Sequence, residues 1–132
     1  MAKLCVLAAI LAVFIAVTQA ERFLGGKTDA NENDDGVKRA LKFAENEFNK
    51  RSNDLYMCRV NDVRRAQRQL VSGISYTLDV EMIRTLCRKP TTDLTTCALH
   101  TDPTIAKKQN CIFEVNHVPW KDSTQLIKMK CE

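Results

Sequence analysis

The apolar residues of this chain change their spacing once along the sequence. Between residues 37 and 48 they recur every three or four positions, on one face of a helix: Val37, Ala40, Leu41, Ala44 and Phe48. Over residues 74–82 they alternate with polar residues, which is typical of a strand buried on one face. The change predicts a helix over residues 36–51 whose apolar face packs on a sheet.

The segments around this helix and strand complete the predicted fold. Residues 31–35 are polar and acidic, which suits a helix start because acidic groups interact favourably with the helix dipole. The other strands are predicted over residues 58–70, 112–118 and 125–129, the first of them polar and bulged, whereas residues 93–109 show no firm periodicity. We predict an α+β fold, with one long helix packed on a four- to five-stranded antiparallel sheet.

The first twenty residues have the pattern of a secretory signal peptide. Lys3 precedes an apolar run over residues 4–17, and a small-residue exit follows at Thr18-Gln19-Ala20. The run is short for a membrane span, and an uncleaved anchor is the alternative. We predict secretion, with a signal peptide at residues 1–20 and one domain at residues 21–132. Without Lys3, 19 of the 20 Lys and Arg residues face 16 Asp and Glu, a charge that indicates neither a nucleic-acid nor a membrane partner.

Five cysteines remain when Cys5 leaves with the signal peptide: Cys58, Cys87, Cys97, Cys111 and Cys131. Close-set cysteines usually pair in an oxidising compartment. The last two lie symmetrically about Lys121 in the predicted final hairpin, and the two before them enclose Pro90. The spacing favours disulfides 87–97 and 111–131, although sequence alone does not fix the connectivity.

Cys58 is left over by this pairing, and three interpretations of it stay open. It is a buried small hydrophobe, a thiol that links two copies of the chain, or a reactive group. A nucleophilic cysteine needs an oriented base, and the chain has only His100 and His117. The same two histidines are too few and too scattered to indicate a zinc site. We therefore predict no enzyme activity, no metal and no cofactor.

Three short motifs follow one another along the chain: Phe23-Leu24-Gly25-Gly26, Gln69-Leu70-Val71-Ser72-Gly73 and Pro119-Trp120. Together with the four cysteines at 87, 97, 111 and 131, they resemble the secreted type-2 cystatins, which inhibit papain-like cysteine proteases. The resemblance covers essentially the whole chain after the signal peptide. It implies a cystatin-like fold that blocks a protease cleft as a rigid wedge and needs no cofactor.

The resemblance also implies which residues contact the protease: Phe23, Leu24, Gly25, Gln69, Leu70, Val71, Ser72, Gly73, Pro119 and Trp120. Phe23 and Leu24 would fill the non-primed subsites, with Gly25 as a hinge. Gly73 would permit a tight turn, and Trp120 would be a large, rigid anchor. Taken alone, residues 69–73 favour a plain tight turn, and Trp120 is equally well a cover for the core.

A second site is implied by Ser52-Asn53-Asp54, directly after the predicted helix. These residues resemble the loop through which some type-2 cystatins inhibit legumain-like asparaginyl endopeptidases. Such enzymes cleave after Asn, so an exposed Asn53 would occupy their specificity pocket. The alternative is a helix-end Asn in the left-handed conformation.

A rival function keeps the fold but not the inhibition. Arg59, Arg64, Arg65 and Arg68 could form a cationic sheet face, as in a secreted binding or antimicrobial protein; such charge is also typical of a solvated face. The motifs at residues 69–73 and 119–120 favour inhibition. The predicted partners are papain-like cysteine proteases such as cathepsins, and also legumain. We predict a monomer, with dimers through Cys58 or by domain swapping as the alternatives.

Overall fold

The computed structural model describes residues 26–91 and 93–132. Its elements are β1 (Thr28–Asp29), α1 (Asp35–Arg51), β2 (Tyr56–Val71), β3 (Gly73–Arg88), α2 (Pro103–Ala106), β4 (Gln109–Val118) and β5 (Ser123–Cys131). The strands form one antiparallel sheet in the order β1-β2-β3-β4-β5. The predicted α+β fold, one long helix on a five-stranded sheet, is confirmed. The predicted signal peptide and the residues Phe23, Leu24 and Gly25 lie outside the described residues.

The long helix α1 begins one residue before its predicted start and is capped by an acidic side chain. Asp34 Oδ1 accepts a hydrogen bond of 2.9 Å from the Gly36 N–H, a contact worth about 1 kcal/mol at a helix start. The predicted stripe packs on the sheet, with Val37, Ala40, Ala44 and Phe48 buried and Leu41 partly buried. The ring of Phe48 meets that of Phe113 edge to face, with 6.4 Å between centroids.

The predicted strand at residues 74–82 is the first part of β3, the strand at the centre of the sheet. Its inward side chains Leu78, Val80 and Met82 are fully buried, beside Phe113 and Val115 of β4. The strand continues six residues beyond the predicted end, because pairing with β2 extends to Arg88 after the alternation stops. Pairing and packing between β3 and β4 hold the hairpin β2–β3 beside the hairpin β4–β5.

The edge of the sheet along β2 is irregular, as its polar sequence predicts. Its pairing with β3 contains three register shifts, and β1 covers it only at Gln67 and Arg68. Two helix side chains satisfy part of the uncovered edge. The Asn49 side chain makes two 2.8 Å hydrogen bonds with the backbone N–H and C=O of Cys58, and Glu45 Oε2 accepts from the Val60 N–H at 2.9 Å. These bonds join α1 to β2 and occupy groups that an open edge would offer to another strand.

Two disulfides lie toward the end of the sheet opposite the turn between β2 and β3. Cys111 and Cys131 are bonded at directly paired positions of β4 and β5. Cys87 and Cys97 join the end of β3 to the segment before α2, which touches β3 again through a bridge between Thr85 and Leu99. Both pairs are those that the spacing favours. Among the described residues, no helix is long and apolar enough to cross a membrane.

Candidate functional site

The strand register brings the two hairpin tips to the same end of the sheet. The first hairpin turns between Val71 and Gly73, which pair with each other across a single residue. The second turns through a short 3-10 segment, Pro119–Lys121. At the start of β3, Ile74 pairs with His117 near the end of β4. The first tip therefore lies next to the end of β4, which leads into the second tip.

The described chain also enters the sheet from this end. Thr28 and Asp29 pair antiparallel with Arg68 and Gln67. In this register, the residues before Thr28 lie progressively closer to the first hairpin tip. The Phe23-Leu24-Gly25 motif immediately precedes this entry point in the sequence.

Both tips present apolar side chains to solvent. Leu70 is 71% exposed, Val71 51% and Trp120 69%, and Ser72 and Pro119 are exposed beside them. Gln69 is half-buried at the end of β2. An indole that is two-thirds exposed does not cover the core, so the core-cover interpretation of Trp120 is wrong. Large apolar side chains grouped in solvent are typical of an interaction surface.

Gly73 allows the first hairpin tip to pack closely against β4 of the second hairpin. Its φ of +115° lies where residues with a side chain are strained. A Cβ at this position would lie 2.7 Å from the His117 carbonyl oxygen and 3.1 Å from Val118 Cγ2. The close approach of the first tip to β4 therefore requires glycine here.

The second tip is held at its base by two local contacts. His117 Nδ1 and Thr124 Oγ1 are hydrogen-bonded at 2.9 Å across the hairpin. Asp122 closes the turn in the left-handed conformation, and its N–H donates to the Pro119 carbonyl at 3.2 Å. These contacts fix Pro119 and Trp120 relative to β4 and β5.

The residues of the second predicted site lie at the opposite end of the sheet. The loop of residues 52–55 leads into Tyr56, which pairs with Arg88 at the end of β3. The 16 residues of β2 separate this loop from the hairpin tips, by roughly 50 Å at about 3.3 Å per residue. The structure therefore brings residues 69–73 and 119–120 together and keeps residues 52–54 apart from them.

Within this loop, neighbouring side chains face opposite ways. Asn53 and Leu55 are exposed, whereas Asp54 turns inward onto Arg84. Among the described residues other than glycine, only Lys107 and Asp122 have positive φ. The interpretation of Asn53 as a left-handed helix-end residue is therefore wrong.

Asp54 is ionised in this environment. Its burial by itself raises the pKa, but the hydrogen bond from the Tyr56 N–H and the contact with the Arg84 guanidinium outweigh it and hold the pKa of Asp54 below the ordinary value of 3.8. The stability that this ion pair contributes is fully present above the pKa that Asp54 has in the unfolded chain. It is lost only as the pH falls through the lowered pKa of the folded state.

Cys58 is buried beneath α1. It is 8% exposed and forms no disulfide. Burial is the main cause that raises the pKa of its thiol, so the reactive thiolate is disfavoured. The structure therefore supports the first of the three interpretations, a buried small hydrophobe.

The arginines of β2 do not form an unpaired cationic face. Arg64, Arg65 and Arg68 each lie 3.4 Å from a carboxylate, of Glu81, Asp29 and Asp34 respectively. Arg59 donates to the carbonyl oxygens of Leu94 and Cys97, at 3.5 Å in each case. In the part of the chain that the structure describes, no group of three or more His, Cys, Asp or Glu side chains could hold a metal ion.

Two residues that hold the loop of residues 52–55 are absent from the sequence predictions. Arg84 binds Asp54, and the Lys89 ammonium donates to the Ser52 carbonyl at 2.7 Å. The one sequence feature that sets Arg84 apart is that it is a charged residue directly after the apolar pair Met82-Ile83. Its partner, however, lies 30 residues away in the sequence.

Comparison with known proteins gives a consistent result. The family model "Cystatin domain" matches residues 25–120. Cystatin-C of Mus musculus is 47% identical over 132 residues, covering 98% of this chain and 94% of that protein. Cystatin-2 of Crotalus adamanteus is 48% identical over 110 residues, covering 83% of this chain and 81% of that protein. Among solved structures, dimeric human cystatin F superposes with a TM-score of 0.75 at 31% identity, over 83% of this chain and 87% of that one.

Proposed function

Because this chain belongs to the cystatin family, as a type-2 cystatin, we propose that it inhibits papain-like cysteine proteases such as cathepsins. It is therefore an inhibitor rather than an enzyme. The observation that carries the proposal is the exposure of Leu70, Val71 and Trp120 on two adjoining hairpin tips. The protease contacts include the rest of the two tips and the Phe23-Leu24-Gly25 trunk.

The proposed mechanism is steric. A rigid apolar edge that fills a cleft excludes substrate, and it resists cleavage when no peptide bond reaches the nucleophile. The first tip supplies Leu70 and Val71, and the second supplies Trp120. The trunk fills the non-primed subsites through Phe23 and Leu24. The hydrogen bond between His117 and Thr124 at the base of the second hairpin, and the close approach of Gly73 to His117 in the first, keep the tips ordered before binding, which lowers the entropy lost on association.

Titration of active papain tests this proposal. We expect one equivalent of the oxidised, monomeric chain from residue 21 onward to abolish hydrolysis of a peptide substrate, and activity to return on dilution with competing substrate. A folded monomer that leaves papain fully active would overturn the proposal.

We further propose that the loop of residues 52–55 inhibits legumain-like asparaginyl endopeptidases independently. An exposed Asn53 between a half-buried Ser52 and an inward Asp54 matches the need of such an enzyme for a presented Asn side chain. The distance between the two ends of β2 leaves room for both proteases.

The change Asn53→Lys separates the two activities. We expect it to abolish legumain inhibition, because a lysine side chain cannot replace the Asn amide in the specificity pocket. The papain inhibition constant should stay the same, because residue 53 lies at the opposite end of the sheet. Steady-state inhibition of both enzymes by both chains is the measurement. Equal loss of the two activities would rule out two separate sites.

We also propose that the chain is secreted as a monomer after removal of residues 1–20. Two disulfides suit an oxidising compartment. Burial of Cys58 opposes a disulfide between two copies. Domain swapping would open the first hairpin and remove its tip, so the monomer is the inhibitory form.

A further inference from the structure

A single side chain from β3 holds the loop of residues 52–55 from beneath. Arg84 Nε and Nη2 lie 2.7 Å and 2.6 Å from Asp54 Oδ2. The two side chains are only 13% and 17% exposed. A guanidinium presents its donors in a fixed plane, so this contact defines the direction of the carboxylate as well as neutralising it.

Arg84 also contacts the elements on either side of the loop. Its Nη1 donates to the Ile105 carbonyl of α2 at 3.3 Å. Its guanidinium carbon lies 6.0 Å from the centre of the Tyr56 ring, at the start of β2. The arginine therefore ties the loop to β2, β3 and α2 at once.

The direction of Asn53 follows from the contacts of its neighbours. Asp54 Oδ1 accepts from the Tyr56 N–H at 3.0 Å, and the Asp54 N–H donates to Ser52 Oγ at 3.1 Å. Lys89 holds the two ends of the loop, through Nζ to the Ser52 carbonyl at 2.7 Å and through its N–H to the Leu55 carbonyl at 2.8 Å. With residues 52, 54 and 55 fixed in this way, the Asn53 side chain is left outside.

We propose that Arg84 is the positioning residue of the second inhibitory site: by holding Asp54 inward, it presents Asn53 in the conformation that a legumain-like protease binds. The proposal rests on the proposed function of the loop of residues 52–55. Arg84 itself does not touch the protease.

Removal of the guanidinium should release this conformation. Asp54 would keep its charge in a largely buried position without its cationic partner, a costly state that the loop relieves by turning Asp54 to solvent. The loop would then have to be ordered again during binding, which lowers affinity. We expect legumain inhibition to weaken at least about 10-fold, the loss that follows from about 1.4 kcal/mol.

Arg88 provides a matched control. Its guanidinium carbon lies 5.9 Å from the centre of the same Tyr56 ring, and the residue is exposed at the same end of the sheet. Its side chain forms no ion pair with Asp54. The change Arg88→Gln removes the same charge as Arg84→Gln and so separates general electrostatic attraction from positioning.

The experiment compares the intact chain with its Arg84→Gln, Arg84→Lys and Arg88→Gln variants. Inhibition constants are measured for legumain and for papain, and amide hydrogen exchange is measured at Asp54 and Tyr56. We expect Arg84→Gln to weaken legumain inhibition, to leave papain inhibition unchanged and to accelerate exchange at Tyr56. Arg84→Lys, which keeps the charge but loses the planar fork, should restore part of the legumain inhibition, and Arg88→Gln should behave as the intact chain.

Each contrary result has a separate meaning. Legumain inhibition by Arg84→Gln at the level of the intact chain overturns the positioning role while the proposed function stands. Equal loss of both inhibitions means that the change disrupts the whole fold, which also overturns it. If the intact chain and Arg88→Gln both fail to inhibit legumain, the proposed function of the loop fails first. In that case exchange at Tyr56 shows whether Arg84 holds the loop at all.

Discussion

Replacing Gly73 with alanine is expected to weaken papain inhibition by about 100-fold. A φ of +115° is strained for any residue with a side chain, at a cost of about 1–3 kcal/mol. The new Cβ would also lie 2.7 Å from the His117 carbonyl oxygen. The first tip must then move away from β4, and the two tips no longer form one edge. A loss of about 3 kcal/mol corresponds to about 100-fold in affinity.

The measurement is the papain inhibition constant, with the thermal unfolding midpoint recorded alongside it. Gly26→Ala is the control for folding, because a Cβ at that glycine meets nothing within 4 Å. Its unfolding midpoint should equal that of the unchanged chain. Normal inhibition by a folded Gly73→Ala variant would show that the geometry of the first tip does not matter for binding.

Replacing Trp120 with alanine is expected to weaken papain inhibition by about 30-fold without lowering stability. The side chain is 69% exposed in the free chain, so its removal leaves no cavity in the core. In a complex it would bury a large, rigid aromatic surface next to Pro119, and such anchors commonly contribute 2 kcal/mol or more. About 2 kcal/mol corresponds to about 30-fold in affinity.

Ile127→Ala is the matched control for this change. Ile127 is an exposed apolar residue of β5 outside both tips, so its removal should alter neither inhibition nor stability. Inhibition constants and unfolding midpoints are measured for both variants. A Trp120→Ala chain that inhibits normally but unfolds at a lower temperature would mean that the indole supports the fold and is not an anchor.

The parts of the fold that could be predicted are those encoded by local patterns. The helical stripe from Val37 to Phe48 and the alternation at residues 74–82 each follow from one period of apolar residues. The helix lies within one residue of its predicted bounds, and the predicted strand is the first part of β3. The turn at Gly73 could also be predicted from its short motif. The surface role of Trp120 followed only from the family resemblance, because Pro119-Trp120 alone is equally consistent with a cover for the core. The motifs identified the family, which the relatives confirm.

The remaining features depend on contacts between residues far apart in the sequence. The two-residue strand β1 carries no periodicity of its own and exists because β2 offers it an edge. The meeting of the two tips depends on the pairing of Ile74 with His117, 43 residues later, which no local pattern records. The same reason hides Arg84 from sequence analysis, since its partner Asp54 belongs to a different element.

The most direct test of the steric mechanism is an active-site titration of papain with the monomeric chain, followed by mass measurement of the recovered inhibitor. We predict that activity falls linearly to zero at one equivalent, and that the chain is recovered uncut at residues 69–73 and 119–121 after prolonged incubation. Residual papain activity at excess folded monomer, or cleavage within either tip, would contradict inhibition by a rigid, uncleaved wedge.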